Sequence, residues 1–186
     1  IRLSLVGSEM CIRDRVTYVD ISDPRLPNPD KPLRIVQLSD LHVERLTDRE
    51  RALPGLVRGL VPDLLVLTGD FLNTSYSRDP HAAADLATIL AELDAPLGVF
   101  AVWGTAHVDY PDVLRPVLED AGVTLLEDRA VAVPMNDHAP GAMLWLMGVT
   151  PTWDVDADAE TVRSALADAP PDAFSILLYH LPDLMP

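Results

Sequence analysis

The chain has 186 residues, a formal net charge of -15 and 48% hydrophobic residues, enough for one domain with a sizeable core. This negative charge argues against nonspecific binding to nucleic acid or to an anionic membrane surface, so we expect no nucleic-acid partner. It does not exclude a phosphate-bearing substrate, because bound cations invert the local field. No apolar run approaches the roughly 18 residues that a membrane helix needs.

The first fifteen residues are predicted to be foreign to the protein. The stretch LVGSEMCIRD at 5–14 resembles a translated adapter from sequencing-library preparation, and such scars are left out of fold reasoning. We therefore divide the chain into residues 1–15, a non-native segment, and residues 16–186, one domain. A genuine N-terminal strand is the alternative. A lost signal or membrane anchor then stays open, and with it a cytoplasmic or a membrane-associated location.

Strand and helix signals alternate along residues 16–186, which predicts an α/β fold with a largely parallel sheet. A capping box at Thr47–Glu50 opens the first helix, and Pro54-Gly55 is expected to kink or break it. The further helices are predicted at 79–93, 111–121 and 158–167. The predicted strands are 16–21 (an edge strand), 33–39, 64–68, 98–103, 123–126, 130–133, 143–149 and 175–179.

Three of the predicted strands end on residues that bind metals. Asp40 and His42 follow the first buried strand, Asp70 follows the second after Gly69, and His180 follows the last. Open α/β sheets place their ligand sites at these carboxyl ends. At i and i+2, Asp40 and His42 lie on the same side of an extended segment. Each motif alone is a weak signal, since a surface turn, a helix N-cap and a hydrogen-bonded core histidine are the alternatives.

Taken together and in order, these motifs resemble the bacterial branch of the calcineurin-like metallophosphoesterases. The resemblance covers roughly Val16 to Pro186 and is carried by IVQLSDLH at 35–42, PDLLVLTGD at 62–70 and His180. It implies an α/β fold in which a β-sandwich is flanked by helices, in α/β/β/α layers. It also implies that residues 16–186 form a C-terminally incomplete domain of this family.

The resemblance implies a dinuclear metal centre. Asp40 and His42 would hold the first metal, Asp70 would bridge two metals, and His180 would hold the second. Two divalent or trivalent ions are implied, and these ligands suit Mn, Fe or Zn better than Ca. A metal-bound hydroxide would then hydrolyse a phosphomonoester, phosphodiester or pyrophosphate bond. The implied partner is a phosphorylated small molecule or lipid, and the oligomeric state stays open.

The loop after the third strand departs from the family, whose motif there is Gly-Asn-His followed by Asp or Glu. Here residues 104–110 read GTAHVDY. Aligned without gaps, Thr105 replaces the Asn ligand and Ala106 replaces the catalytic His. His107, one residue later, is our candidate catalytic residue, and an ordinary loop histidine is the alternative. A sequencing error in this stretch is a further interpretation.

The family closes its site with a Gly-His-x-His motif downstream of the position of His180, but Pro186 comes first. Truncation is the simpler interpretation, and degeneration of the site is its rival. We therefore expect the chain as given to bind metal weakly and to turn over poorly. The alternative function is a catalytically degenerate binding or scaffold protein with this fold. His81 and His138 are interpreted as surface residues.

Overall fold

A computed structural model describes residues 2–7, 15–26, 32–135, 138 and 141–182 of the chain. The described helices are α1 (Asp48–Leu60), α2 (Pro80–Leu90), α3 (Pro111–Asp120) and α4 (Val155–Leu166). The described strands are β1 (Arg2–Gly7), β2 (Arg15–Asp20), β3 (Arg34–Ser39), β4 (Leu64–Leu67), β5 (Val99–Ala101), β6 (Thr124–Leu125), β7 (Arg129–Pro134), β8 (Met143–Gly148) and β9 (Ser175–Leu178).

Within the described residues the strands form two sheets. The first has the order β2-β1-β3-β4-β5-β6, and all its pairs are parallel except β1 with β2. The second has the order β7-β8-β9, in which β7 and β8 are antiparallel and β8 and β9 are parallel. The prediction of an α/β fold with a largely parallel sheet is confirmed, and β2 lies at a sheet edge as expected.

Two apolar cores separate the layers, because successive strand residues point to opposite faces. On β3, Val36 and Leu38 pack toward the helical core, whereas Ile35 packs into the core between the two sheets. Helix α4 contacts β7 and β8 outside that second core. The result is the α/β/β/α layering that the resemblance implied. The helical core is completed by Val57, Leu65, Leu67, Leu86, Ile89, Leu90, Leu114 and Leu118, and the inter-sheet core by Leu64, Val66, Leu144, Leu146 and Leu178.

Part of the segment predicted to be foreign forms a strand. β1 lies between β2 and β3 and runs parallel to β3. A ladder needs only backbone N–H and C=O groups, which every sequence except proline supplies, so this pairing does not identify the origin of the segment. The division of the chain at residue 15 stays a prediction. Residues 8–14 of that segment lie outside the described residues.

The predicted capping box is present at the start of α1. The Thr47 hydroxyl accepts a hydrogen bond from the amide of Arg49, and the Glu50 carboxylate accepts one from the amide of Thr47 at 3.0 Å. Of the kink or break expected at Pro54, the break is wrong, because α1 continues to Leu60, and the kink stays a prediction. Proline removes a single intrahelical donor there, and the burial of Pro54 and Val57 against the core holds the helix in place.

We expect Glu50→Ala to lower the free energy of unfolding at pH 7 by roughly 0.5–2 kcal/mol, the range for helix caps. Burial raises the pKa of Glu50, but hydrogen bonds from Thr47 and the backbone outweigh burial and leave the pKa below its usual 4.5. The stabilisation is therefore complete above pH 4.5 and is lost as the pH falls through the lower folded-state value.

Urea unfolding at neutral and acid pH measures this effect. Glu50→Gln is the control, because it keeps a side-chain acceptor for the Thr47 amide but does not titrate. Its unfolding free energy is expected to change less with pH than that of the wild-type chain. Equal unfolding free energies of wild type and Glu50→Ala at pH 7 would contradict the role of Glu50.

The surface assignment of His138 is wrong. This residue is only 7% exposed, and its Nε2 lies 3.4 Å from Oδ1 of Asp63, which precedes β4. A contact between residues so distant along the chain leaves no trace in local sequence. His81 is exposed at the start of α2, as predicted. Among the described residues, no helix has the length and apolar character needed to span a membrane.

Candidate metal centre

The chain turns sharply where β3 and β4 end. Asp40, His42 and Asp70 have φ angles of 55°, 46° and 53°, in the left-handed region that few residues other than glycine adopt. The amide of Asp40 donates to the carbonyl of Gly69, and the amide of His42 to that of Asp70, each at 3.1 Å. These bonds hold both turns together. Backbone strain of this kind is concentrated at functional sites.

The expectation that Asp40 and His42 share one side of an extended segment is wrong in its geometry. Both residues are left-handed, so the tight turn, rather than strand periodicity, brings their side chains together. His42 Nε2 lies 3.6 Å from Asp40 Oδ1. The neighbouring His42 imidazole lowers the pKa of the Asp40 carboxyl, and the Asp40 carboxylate in turn raises the pKa of His42.

Asp40, His42 and Asp70 form a cluster whose ligand atoms all lie within 4.8 Å of one another. His42 Nε2 is 3.8 Å from Asp70 Oδ2. Two ligands of one ion with bonds of about 2.0–2.2 Å lie about 3–3.5 Å apart, so small side-chain shifts bring this cluster to a bound geometry. Carboxylate and imidazole donors together are a set that Mn, Fe and Zn accept.

His180 approaches the other oxygen of Asp70. Its Nε2 lies 3.5 Å from Asp70 Oδ1, whereas His42 faces Oδ2. The Nδ1 of His180 lies 2.7 Å from the carbonyl oxygen of Thr68. A carbonyl only accepts, so Nδ1 donates to Thr68, and Nε2 is the ring nitrogen that faces Asp70. The four predicted ligands therefore lie together, with Asp70 between two histidines.

Asp109 is a buried residue of this site that sequence reasoning did not single out. Only 2% exposed, it accepts hydrogen bonds from the amides of Asp70 at 2.9 Å, Gly104 at 2.7 Å and Phe71 at 3.0 Å. Burial raises its pKa to about 6, against the opposite effect of these amides. Asp109 thus ties the turn after β4, which carries Asp70, to the turn after β5. Its sequence signal is the Asp or Glu that ends the family's motif in this loop, since Asp109 follows His107 by two residues.

We expect Asp109→Asn to lower the free energy of unfolding by about 1–3 kcal/mol, because its NH2 group would face a backbone N–H and leave that donor unpaired. Urea unfolding of the metal-free chain measures the loss. The matched control is Asp94→Asn, the same change at an exposed position, which should stay within about 0.5 kcal/mol of wild type. A stability of Asp109→Asn equal to that of the control would contradict the role assigned to Asp109.

The loop after β5 brings Thr105 to the cluster. Its amide donates to Asp70 Oδ1 at 2.7 Å, and its hydroxyl lies 3.5 Å from His180 Nε2. Ala106 and His107 are exposed. In the part of the chain that the structure describes, no hydrogen bond or ion pair joins His107 to the four predicted ligands. The catalytic role of His107 stays a prediction.

Comparison of the sequence with known proteins agrees with the family resemblance that the motifs indicate. A sequence model of the family described as calcineurin-like phosphoesterase matches residues 33–104. The UDP-2,3-diacylglucosamine pyrophosphatase LpxG of Chlamydia muridarum is 40% identical over 74 residues, 39% of this chain and 22% of that protein. The uncharacterized metallophosphoesterase YkoQ of Bacillus subtilis is 31% identical over 107 residues, 55% of this chain and 39% of that protein.

An uncharacterized metallophosphoesterase of Aquifex aeolicus is 32% identical over 123 residues, 64% of this chain and 45% of that protein. The chain thus spans less than half the length of each of these relatives. The matched family segment contains Asp40, His42, Asp70 and Gly104, and His180 lies outside it.

Proposed function

We propose that this chain, which belongs to the calcineurin-like phosphoesterases through residues 33–104, hydrolyses a phosphoric ester bond in a metal-dependent reaction. The site is the cluster of Asp40, His42, Asp70 and His180. The observation that carries the proposal is the placement of Asp70 between two histidines. Its Oδ2 faces His42 and its Oδ1 faces His180, which is the arrangement a carboxylate needs to bridge two ions.

The donor chemistry of these residues fits a pair of metal ions. Asp40 and His42 would hold one ion, His180 would hold the other, and Asp70 would contribute one oxygen to each. Nδ1 of His180 donates to the Thr68 carbonyl, the outer hydrogen bond typical of metal-binding histidines, and Nε2 is the ring nitrogen that would bind the ion. When bound, two ions of Mn, Fe or Zn would supply Lewis acidity toward the phosphoryl oxygens and lower the pKa of an attacking water.

The other residues of the site hold this arrangement in place. The Thr105 amide donates to Asp70 Oδ1 and so orients the carboxylate, while Asp109 fixes the backbone amide of Asp70. His107 is the residue we propose as proton donor to the leaving oxygen. It is exposed and lies two positions after Thr105, whose amide contacts Asp70. Positioning of this kind matters because a small misplacement of reacting groups costs a large factor in rate.

For the substrate we propose a phosphorylated lipid or small molecule, and a pyrophosphate bond as the first linkage to test. Two relatives, from Chlamydia muridarum and Chlamydia trachomatis, carry the name UDP-2,3-diacylglucosamine pyrophosphatase. Phosphomonoesters and phosphodiesters are tested beside it, because ions held by the cluster would contact the phosphoryl group that all three linkages share.

The test is metal binding by the 186-residue chain, followed by hydrolysis. Titration calorimetry with Mn²⁺ is expected to give two ions bound weakly per chain, as expected from the missing Gly-His-x-His ligands. Hydrolysis of an aryl phosphate, an aryl phosphodiester or a UDP-sugar is expected to be slow, to depend on Mn²⁺ and to stop with chelator. His180→Ala should reduce both, whereas His81→Ala, at an exposed histidine, should reduce neither. Absence of both metal binding and hydrolysis would overturn the proposal.

The second candidate function is a binding or scaffold module that has lost its chemistry. Thr105 and Ala106 favour it, because threonine is a weaker neutral ligand than an amide and alanine has no proton to donate. Elemental analysis of the purified protein separates the two functions. Two metal ions per chain would contradict the scaffold function. Metal-free protein that still binds a partner would support it.

A further inference from the structure

Asp158, on α4, accepts hydrogen bonds from two loops at the carboxyl ends of β8 and β9. Only 1% exposed, its carboxylate accepts from the amide of Thr152 at 3.1 Å and from the Thr152 hydroxyl at 2.5 Å. It also accepts from the hydroxyl of Tyr179 at 2.5 Å. Tyr179 directly precedes His180 in the chain. The Asp158 carboxylate thus holds the residue that is next to His180 in the chain.

The backbone of His180 lies beyond the strand that leads to it. The ladder of β8 and β9 ends where the amide of Val149 donates to the carbonyl of Leu178, at 3.2 Å. Tyr179 and His180 follow this ladder, and a side-chain contact of each helps to set its position. The imidazole is held by the Thr68 carbonyl, and the preceding residue is held by its hydroxyl on Asp158.

We propose that Asp158 is a positioning residue for the metal centre: through the hydroxyl of Tyr179 it fixes the chain at His180 and holds His180 Nε2 beside Asp70. The proposal rests on the proposed function, in which His180 binds an ion. Asp158 itself touches neither metal nor substrate. Asp158 acts by holding Tyr179 in place, and the peptide bond from Tyr179 then restricts the position of His180.

The surroundings of Asp158 suit a fixed carboxylate. It lies in the first turns of α4, where the helix dipole favours negative charge. Burial raises the pKa of Asp158, but hydrogen bonds from Thr152 and Tyr179 outweigh burial and leave the pKa below its usual range. The ionised group accepts all of its hydrogen bonds at neutral pH. The same carboxylate fixes Thr152 beside Trp153, a left-handed residue with φ of 66° and 61% exposed.

Mn²⁺ titration calorimetry of three variants tests the proposal. Asp158→Asn and Tyr179→Phe are expected to weaken one of two bound ions by about 10–100-fold, the usual cost of losing an outer-shell partner, and to leave the other ion unchanged. Tyr179→Phe removes only the hydroxyl that donates to Asp158, so it provides the test if Asp158→Asn folds poorly. Asp156→Asn, the same charge change at an exposed position of α4, should not alter the affinity of either ion.

A double-mutant cycle separates positioning from general stability. In a His180→Ala background, Asp158→Asn is expected to cause no further loss of metal affinity, because the ligand through which it acts is gone. An equal weakening of both ions by Asp158→Asn, or an undiminished effect in the His180→Ala background, would overturn the proposal. Unchanged affinity in both Asp158→Asn and Tyr179→Phe would overturn it as well.

Nitrogen-15 NMR of the His180 ring in metal-free protein separates this proposal from the proposed function. Wild type should show the Nδ1-protonated tautomer, and Asp158→Asn and Tyr179→Phe should shift or mix it. Where the shift occurs but no ion binds, the proposed function fails and the positioning role stands. Where ions bind to wild type and the ring signals of both variants match it, the proposed function stands and the positioning role fails.

Discussion

Asp70→Asn is expected to abolish the stabilisation of the chain by Mn²⁺ while leaving the metal-free fold intact. In wild type, a metal concentration of 100 times the dissociation constant of a site should raise the free energy of unfolding by about 2.7 kcal/mol for each ion bound. In the variant the rise should vanish. Asp70 contributes one oxygen toward His42 and the other toward His180, so this single carboxylate serves both halves of the cluster.

Metal-free Asp70→Asn should fold, because asparagine keeps the hydrogen bonds that residue 70 makes to Thr105 and Asp109. Its amide oxygen accepts from the amide of Thr105 as the Asp70 carboxylate does. The backbone amide of residue 70 continues to donate to Asp109. The change also removes a negative charge beside Asp40, so the metal-free variant should be at least as stable as metal-free wild type.

Thermal unfolding with and without Mn²⁺ measures this difference, and hydrolysis of an aryl phosphodiester measures its consequence. We expect Asp70→Asn to lower the hydrolysis rate by more than the roughly 10–100-fold that is lost when a residue hydrogen-bonded to a metal ligand is removed. Asp94→Asn, at an exposed position, is the control and should keep the full response to metal. A metal-induced stabilisation of Asp70→Asn equal to that of wild type would contradict a bridging role for Asp70.

Gly104→Ala is expected to destabilise the chain by about 1–3 kcal/mol or more, the cost of overpacking a filled interior. A Cβ at this position would lie closer than 3.0 Å to the backbone nitrogen and the carboxylate of Asp70 and to the carboxylate of Asp109. The backbone nitrogen has no room to move, because it is hydrogen-bonded to Asp109. The added methyl group therefore displaces the residue that we propose to bridge the ions.

The matched control is Gly59→Ala in α1. A Cβ there meets nothing within 4 Å, and alanine in a helix is more stable than glycine by roughly 0.5–1 kcal/mol. The same chemical change should therefore have opposite signs at the two positions. Thermal unfolding measures both, at about 2–4 °C per kcal/mol for a chain of this size. A melting temperature of Gly104→Ala at or above wild type would contradict the close packing of the two turns.

The proximity of Asp40 and Asp70 was predictable because each follows a buried strand of one parallel sheet, whose carboxyl ends lie at the same edge. His180 follows β9, which belongs to the other sheet, so its approach to Asp70 depends on how the two sheets pack and not on the strand pattern alone. The left-handed turn that joins Asp40 to His42 was not predictable, because it depends on hydrogen bonds to residues of another strand end.

The residues that sequence reasoning missed act across the fold. Asp109 binds amides 38 and 39 positions away, and Asp158 binds a hydroxyl 21 positions away. Asp158 belongs to no local pattern that distinguishes it from a solvated acid, and Asp109 is marked only by the acidic position of the family's loop motif. At Pro54 a local rule predicted a kink or a break, and the break does not occur because burial against the core overrides it. Tertiary contacts decide all three cases.

The most direct test of the proposed two-ion centre is anomalous X-ray diffraction from crystals of the chain grown with Mn²⁺. The proposal predicts two anomalous peaks about 3.5–4 Å apart, with an Asp70 oxygen bound to each. One peak should contact Asp40 and His42, and the other should contact His180. A single peak that leaves His180 without metal, or peaks only at surface carboxylates away from Asp70, would contradict it.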